Sequence, residues 1–492
     1  MKRYKKICLL LGILAVVCLA TIGVMRIEEH KEKIKNTEEV ILSVPVDSVS
    51  SLSWEYESET FGFHKTEGEI SAEEDSTEEE LSDEKWLYDT DEAFPVDEEH
   101  INRLLEQFEE FGAAFIIEEV EDYGQYGLEE PVCTIHLTTE EQSYDILLGN
   151  YSNMDSKRYV SIGDGNVYLV KNDPLDYFDV TISDMIRHDE TPSFDMATGI
   201  QFAGNENYNI TYEEESRATY CAEDVYFTTE GEKTLPLDTT RVEDYLHNIS
   251  GLNLTDYVTY NATEEELAEF GLDAPELTVT VDYSSEDENG EEISDTFVLS
   301  ISRSEEDRVA KQEDVEEGAN AEDNDKEEEE VNAYVRVGES QIVYKISSES
   351  FENLMAASYD SLRHQDVFAA DTADIRQIDI TLEETVYTIT SEKEDDKRTY
   401  YYQEEEVEMA GLKSSLKNLS ATDFTEEGPT QKEEIRLVVY LDNENFPEVE
   451  IELYRYNGDN CLAVVDGEPV SFVQRSGVVD LIEAVYGIVL NE

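Results

Sequence analysis

Histidine, cysteine and clustered carboxylates are the side chains here best suited to chemistry, and their spacing limits what that chemistry can be. The seven histidines are His30, His64, His100, His136, His188, His247 and His364. No two stand at the spacing by which one helix or loop grips a metal ion. Two of them close a recurrent basic pair, Arg187-His188 and Arg363-His364. Such a pair could hold an anionic ligand or act as acid and base. It also suits a helix end, where cations meet the negative pole of the dipole, and that is the better account of it. Of five cysteines, Cys8 and Cys18 lie in an apolar N-terminal run, which leaves Cys133, Cys221 and Cys461. Three thiols scattered over the chain form neither a disulfide framework nor a zinc spacing. Cys133, in a strand-like segment, reads as a packed thiol.

Cation loops fare no better. Ser285 to Thr296 puts Asp287, Asn289 and Gly290 at EF-hand positions, but Ser285 and Thr296 stand where carboxylates are required. Gly163-Asp164-Gly165 could seat a cation, although a hairpin turn explains it without one. A Gly-rich phosphate loop, a Gly-x-Ser-x-Gly elbow and a His-Glu-x-x-His pair are all missing from the sequence. The expectation is therefore a non-enzyme with no catalytic residue, no cofactor and no dedicated metal ligand.

Charge narrows the partners. Acidic residues outnumber basic ones 119 to 35, for a formal net charge of −84 over 492 residues. Such a surface repels nucleic acid. Diffuse attraction of Ca²⁺, Mg²⁺ or polycationic ligands is compatible with it. With 39% hydrophobic residues and 29 tyrosines, the chain has too much apolar material to be wholly disordered.

Ile7 to Met25 carries no charge, and Lys2, Arg3, Lys5 and Lys6 precede it. As a helix this run covers nearly 30 Å at about 1.5 Å per residue, the thickness of a hydrocarbon core. The positive-inside tendency keeps the N-terminus cytoplasmic and sends the rest outward, as a single-pass anchor. A cleaved signal peptide and a lipoprotein are the rivals. The run is long for the first and lacks a small-x-small end, and Cys18 follows Val17 where the second needs a small residue.

The elements beyond the anchor are organised by a repeat. Tyr126-Gly127-Leu128-Glu129-Glu130-Pro131 returns as Phe270-Gly271-Leu272-Asp273-Ala274-Pro275, a helix stop followed by a strand. Ahead of each copy, Asp97 and Asp238 are expected N-caps. They open the amphipathic stripes Ile101, Leu104, Leu105, Phe108, Phe111 and Val242, Tyr245, Leu246, Ile249, Leu252. The third copy is eroded: Leu412, Leu416 and Leu419 keep part of the stripe, and only Gly428-Pro429 marks the stop.

The fold expected is α+β: an N-terminal transmembrane helix, then three tandem α+β repeat units, each an antiparallel-dominated sheet with a long packed helix. Boundaries fall at 1–26 for the cytoplasmic tip and anchor, 27–44 for a juxtamembrane spacer, 45–192 for unit 1, 193–370 for unit 2 and 371–492 for a degenerate unit 3. Residues 304–330, with fourteen acids against three basic residues, read as a disordered, solvated insertion in unit 2. Residues 67–84 read as an acidic loop in unit 1.

The anchor, the helices at Asp97 and Asp238, the Tyr/Phe-Gly-Leu-x-x-Pro motif, the Tyr-Val strands with their hairpins and the closing Arg-His pairs together resemble the bacterial family catalogued as domain of unknown function 4340. The likeness spans nearly all of residues 45–370 and thins over the last unit. It implies a single-pass bacterial envelope protein, extracytoplasmic in bulk and accessory to an exporter of the ABC type, with that exporter's permease or auxiliary subunits as partners. It implies no site residues.

Overall fold

The computed structural model describes residues 34–36, 39–66, 84–118, 120–286, 292–304, 306–308, 331–394 and 397–490. The anchor run, most of the acidic loop 67–84 and residues 309–330 of the acidic insertion lie outside them. Among the described residues, no helix is long and apolar enough to cross a membrane.

Each repeat is one antiparallel sheet, built in the same order. In the first, the sheet runs Trp86–Tyr88, Glu59–Lys65, Val49–Tyr56, Cys133–Thr139, Ser143–Ser152, Lys157–Ser161, Val167–Val170, Phe111–Ile117. The second runs Lys233–Pro236, Tyr226–Glu230, Tyr208–Tyr212, Met196–Gly204, Leu277–Glu286, Glu292–Arg303, Ala333–Val337, Val343–Ile346, Tyr257–Thr259. The third runs Glu405–Val407, Lys397–Tyr402, Thr385–Glu394, Ile375–Leu382, Glu433–Leu441, Glu448–Arg455, Asn460–Val465, Glu468–Gln474, Ala421–Phe424. In every case the first long strand lies inside the sheet and the strand after the long helix crosses to its far side, where it forms the edge in repeats 2 and 3, while in repeat 1 Ile34–Asn36 pairs beyond Phe111–Ile117. Unit 3 keeps only Gly428-Pro429 of the motif and still has the topology.

Alternation explains the strands. Ile378, Ile380 and Leu382 face the third core while their neighbours do not, and Leu437, Val439 and Leu441 do the same one strand away. The long helices cover the same face. Asp97 and Asp238 do cap them: Asp97 accepts from the His100 N–H at 3.1 Å, and Asp238 from the Thr240 N–H at 3.0 Å. Val242, Tyr245, Leu246 and Ile249 are buried, with Tyr245 set edge-on to Phe202 of the sheet. Leu412 and Leu416 of the Ala410–Lys417 helix share the third core with Val478, Leu481 and Val485 of the Arg475–Val489 helix.

Three expectations need correction. The segment 27–44 is not all spacer: Ile34–Asn36 and Val40–Leu42 both pair with Phe111–Ile117, and Val44 is buried. The first helical stripe is shorter than read, because the helix ends at Glu106 and Phe111 is claimed by strand pairing with Leu42. Repeat 2 closes on two helical pieces, Ser348–Met355 and Tyr359–Leu362, since Ser358 caps a fresh start by accepting from the Ser361 N–H. The insertion 304–330 begins in structured chain. Residues 306–308 form a helical turn, and Asp307 accepts from both Ser304 Oγ and the Asn332 N–H.

Both motif glycines adopt the left-handed conformation, with φ of 74° at Gly127 and 70° at Gly271. Contacts divide the chain into Met1–His188 and Asp189–Glu492, the second holding repeats 2 and 3 together.

Candidate functional site

The closing segments of repeats 1 and 2 do more than end a helix. In repeat 1, the Arg187 N–H donates to Pro95 O at 2.7 Å and the Asp97 N–H to Met185 O at 2.8 Å. In repeat 2, the Asp238 N–H donates to Leu362 O at 3.0 Å. Each segment is thus tied to the N-cap of its own long helix, and Arg363 also ends the Tyr359–Leu362 helix as its C-cap, as the helix-end reading expects.

Arg187 is exposed. The second pair is set among partners. Arg363 lies 4.4 Å from the Phe424 ring centre and 4.9 Å from that of Tyr359, a cation between two aromatic faces that joins repeat 2 to repeat 3. It faces a cleft of about 930 Å³ bordered also by Tyr208, Lys233 and Glu468. Lys233 and Glu468 pair across it at 2.6 Å, but both are largely exposed, so the bond adds little stability.

His364 turns the other way. Its Nε2 lies 2.7 Å from Asp224 Oδ1, and its Nδ1 lies 3.7 Å from Oδ2 of the capping Asp238. Burial works against charge on this imidazole. The hydrogen bond to Asp224 and the fields of Asp224, Asp238 and Asp366 outweigh burial, so its pKa stands above the usual histidine value.

Asp224 is held by a turn of its own. Its side chain is 1% exposed, and its Oδ2 accepts from Thr219 Oγ1 at 2.6 Å. Thr219 Oγ1 in turn accepts from the Cys221 N–H at 3.0 Å. The same turn brings Cys221 to the site: Cys221 Sγ and ligand atoms of Asp224 and His364 all lie within 4.8 Å of one another. Burial first, then the nearby Asp224 carboxylate, pushes the Cys221 thiol up to about 11. Cys133 and Cys461 are buried away in their sheets, and burial holds them at about 12 and about 11.

No spacing rule could have joined these residues, since Asp224 and His364 are 140 positions apart. Three other histidines have local partners. His64 pairs with Asp89 and His136 with Asp145, each at 2.6 Å on exposed surface. His247 Nδ1 meets Glu243 O at 2.9 Å within the second long helix. Gly163-Asp164-Gly165 is a hairpin turn, with Asp164 accepting from the Asn166 N–H at 3.1 Å and from the Tyr168 hydroxyl.

A family model described as a domain of unknown function (DUF4340) matches residues 86–275 and again residues 230–438. The two matches begin 144 positions apart, the same displacement as Gly127 and Gly271. The second match runs on into the Glu433–Leu441 strand of repeat 3. No curated protein and no solved structure matches the chain.

Proposed function

Because the chain belongs to the DUF4340 family, we propose that it is a non-enzymatic, membrane-anchored scaffold of the bacterial cell envelope, its repeats outside the membrane and working beside an ABC-type exporter. One observation carries this reading: an uncharged run, Ile7 to Met25, flanked by Lys2, Arg3, Lys5 and Lys6, stands ahead of an acidic array of repeated sheets. The run is long enough to span a bilayer, and its flank sets the orientation. Repeated sheets offer long surfaces for a protein partner, and the exposed acids keep them soluble and away from anionic polymers.

Carbonate washing of membranes tests the anchor. The full chain should stay in the pellet, and a chain lacking residues 1–26 should leave it. Release of the full chain would overturn the anchored reading. The exporter role predicts that an exporter permease co-purifies with the solubilised full chain; its absence after crosslinking in cells would remove that partner.

A second reading, an acidic surface module gathering Ca²⁺, Mg²⁺ or polycationic ligands, is favoured by the net charge of −84. Many weak equivalents in a calcium titration would support it.

A further inference from the structure

We propose that Cys221, Asp224 and His364 form a site for one thiophilic divalent metal ion of the Zn²⁺ class, and that the bound ion rivets repeat 2 to the connection leading into repeat 3. This inference is independent of the scaffold reading and of diffuse binding by acidic loops.

Donor type selects the ion. A thiolate, an imidazole and a carboxylate suit Zn²⁺ and its spectroscopic stand-in Co²⁺, whereas Ca²⁺ and Mg²⁺ require oxygen shells. Three protein ligands leave a fourth position for water.

The surroundings are built as metal sites are. His364 presents Nε2 to the cluster while Nδ1 faces the Asp238 carboxylate at 3.7 Å, the orientation by which an outer carboxylate makes a ligating imidazole more basic. Thr219 Oγ1 holds Asp224 Oδ2 at 2.6 Å, which aims Oδ1 at His364. Tetrahedral bonds of about 2.0–2.3 Å place ligand atoms roughly 3.3–3.8 Å apart. The three donors already lie within 4.8 Å of one another. The Nε2 to Oδ1 distance of 2.7 Å must therefore open by well under 1 Å as the ion replaces the shared proton. Binding releases the Cys221 thiol proton and the proton between His364 and Asp224, and three metal–ligand bonds form in their place.

Position gives the ion its consequence. Cys221 and Asp224 belong to the turn ahead of the Tyr226–Glu230 strand in repeat 2, and Tyr220 on that turn stacks on Phe368 at 6.4 Å. His364 opens the connection in which Gln365 O accepts from the Ala421 N–H and the Val367 N–H donates to Leu419 O. A metal bond from His364 to that turn fixes it to the connection that pairs with Leu419 and Ala421 of repeat 3.

The test is a Co²⁺ titration of the metal-free full chain, followed by absorption. One equivalent should saturate a near-ultraviolet sulfur-to-cobalt charge-transfer band, and Zn²⁺ should displace it. Cys221→Ser should abolish the band, and His364→Gln should weaken Co²⁺ at least about 10-fold. Zn²⁺ should raise the melting temperature of the wild type and not that of Cys221→Ser. If Cys221→Ser does not fold, as judged by far-ultraviolet circular dichroism, Asp224→Asn replaces it in the affinity comparison. A folded wild type that takes up Co²⁺ without the band, or a band of equal strength in Cys221→Ser, overturns the proposal. So does binding of many equivalents with no sulfur signature, the signature of a carboxylate surface.

Discussion

Replacing Gly271 by alanine strikes the repeat motif where backbone and side chain both depend on glycine. Its φ is 70°, and placing an L residue there costs about 1–2 kcal/mol. A Cβ would also stand 2.6 Å from Arg303 O, a backbone atom fixed in the Glu292–Arg303 strand, which cannot retreat cheaply. It would run into the Arg308 guanidinium as well, which donates to Gly271 O and, at 3.1 Å, to Ala274 O. Overpacking adds about 1–3 kcal/mol, so Gly271→Ala should cost roughly 2–5 kcal/mol in all. Two controls separate the terms. Gly467 has φ of 81° and open space around its Cβ position, so Gly467→Ala should show the backbone term alone, about 1–2 kcal/mol. Gly428 has neither a positive φ nor a close neighbour, and Gly428→Ala should stay within about 0.5 kcal/mol. Urea unfolding of the full chain by far-ultraviolet circular dichroism gives the ranking. A Gly271→Ala midpoint equal to or above that of Gly467→Ala would refute the close-approach argument.

Other outcomes follow from single contacts. Arg158 donates from Nε to both oxygens of Asp173, at 2.7 and 2.8 Å, and from Nη1 to Gly149 O, and both side chains are about nine-tenths buried. Arg158→Ala should therefore lower unfolding stability by about 3–5 kcal/mol in urea titration, because Asp173 is left buried without its counter-charge, keeping only the Leu175 N–H at 3.0 Å. Glu276 is pushed up by burial, but its hydrogen bonds to Arg303 and the fields of Arg303 and Arg308 outweigh this and hold its pKa below the usual value. Its contribution is thus complete above the ordinary glutamate range and is lost as pH falls through the depressed folded value. Glu276→Gln should lose stability near neutral pH and show a shallower decline on acidification, measured as urea midpoint against pH. Both tryptophans, Trp54 and Trp86, lie in the first compact unit and are buried. Tryptophan fluorescence should accordingly report that unit alone and give a transition distinct from the circular dichroism of the whole chain. Superimposable curves would mean that the two units unfold as one.

What the sequence made legible was mostly local. Asp97 and Asp238 were readable as N-caps because a short carboxylate ahead of a helical stripe has one good use. Gly127 and Gly271 were readable as helix stops because left-handed backbone favours glycine. Periodicity identified the strands but not their order, since placing the strand after the long helix on the far side of the sheet is a long-range choice. Phe111 matched the helical stripe and went to a strand, because pairing with Leu42 overrode local periodicity. Ile34–Asn36 and Val40–Leu42 were hidden in a charged stretch whose strand character depends on the partner strand Phe111–Ile117. The Cys221, Asp224 and His364 cluster was out of reach altogether. Its members are joined by the crossing of the repeat 2 connection over the Thr219–Asp224 turn, which no motif records.

The central functional claim is that the repeats stand outside the membrane on an N-terminal anchor. Protease added to intact cells, with the outer layers permeabilised and the inner membrane sealed, tests it most directly. Everything after Met25 should be digested while cytoplasmic markers survive, leaving a membrane-protected fragment no longer than the anchor. Full protection of the repeats, with an extracytoplasmic control protein digested in the same cells, would contradict it.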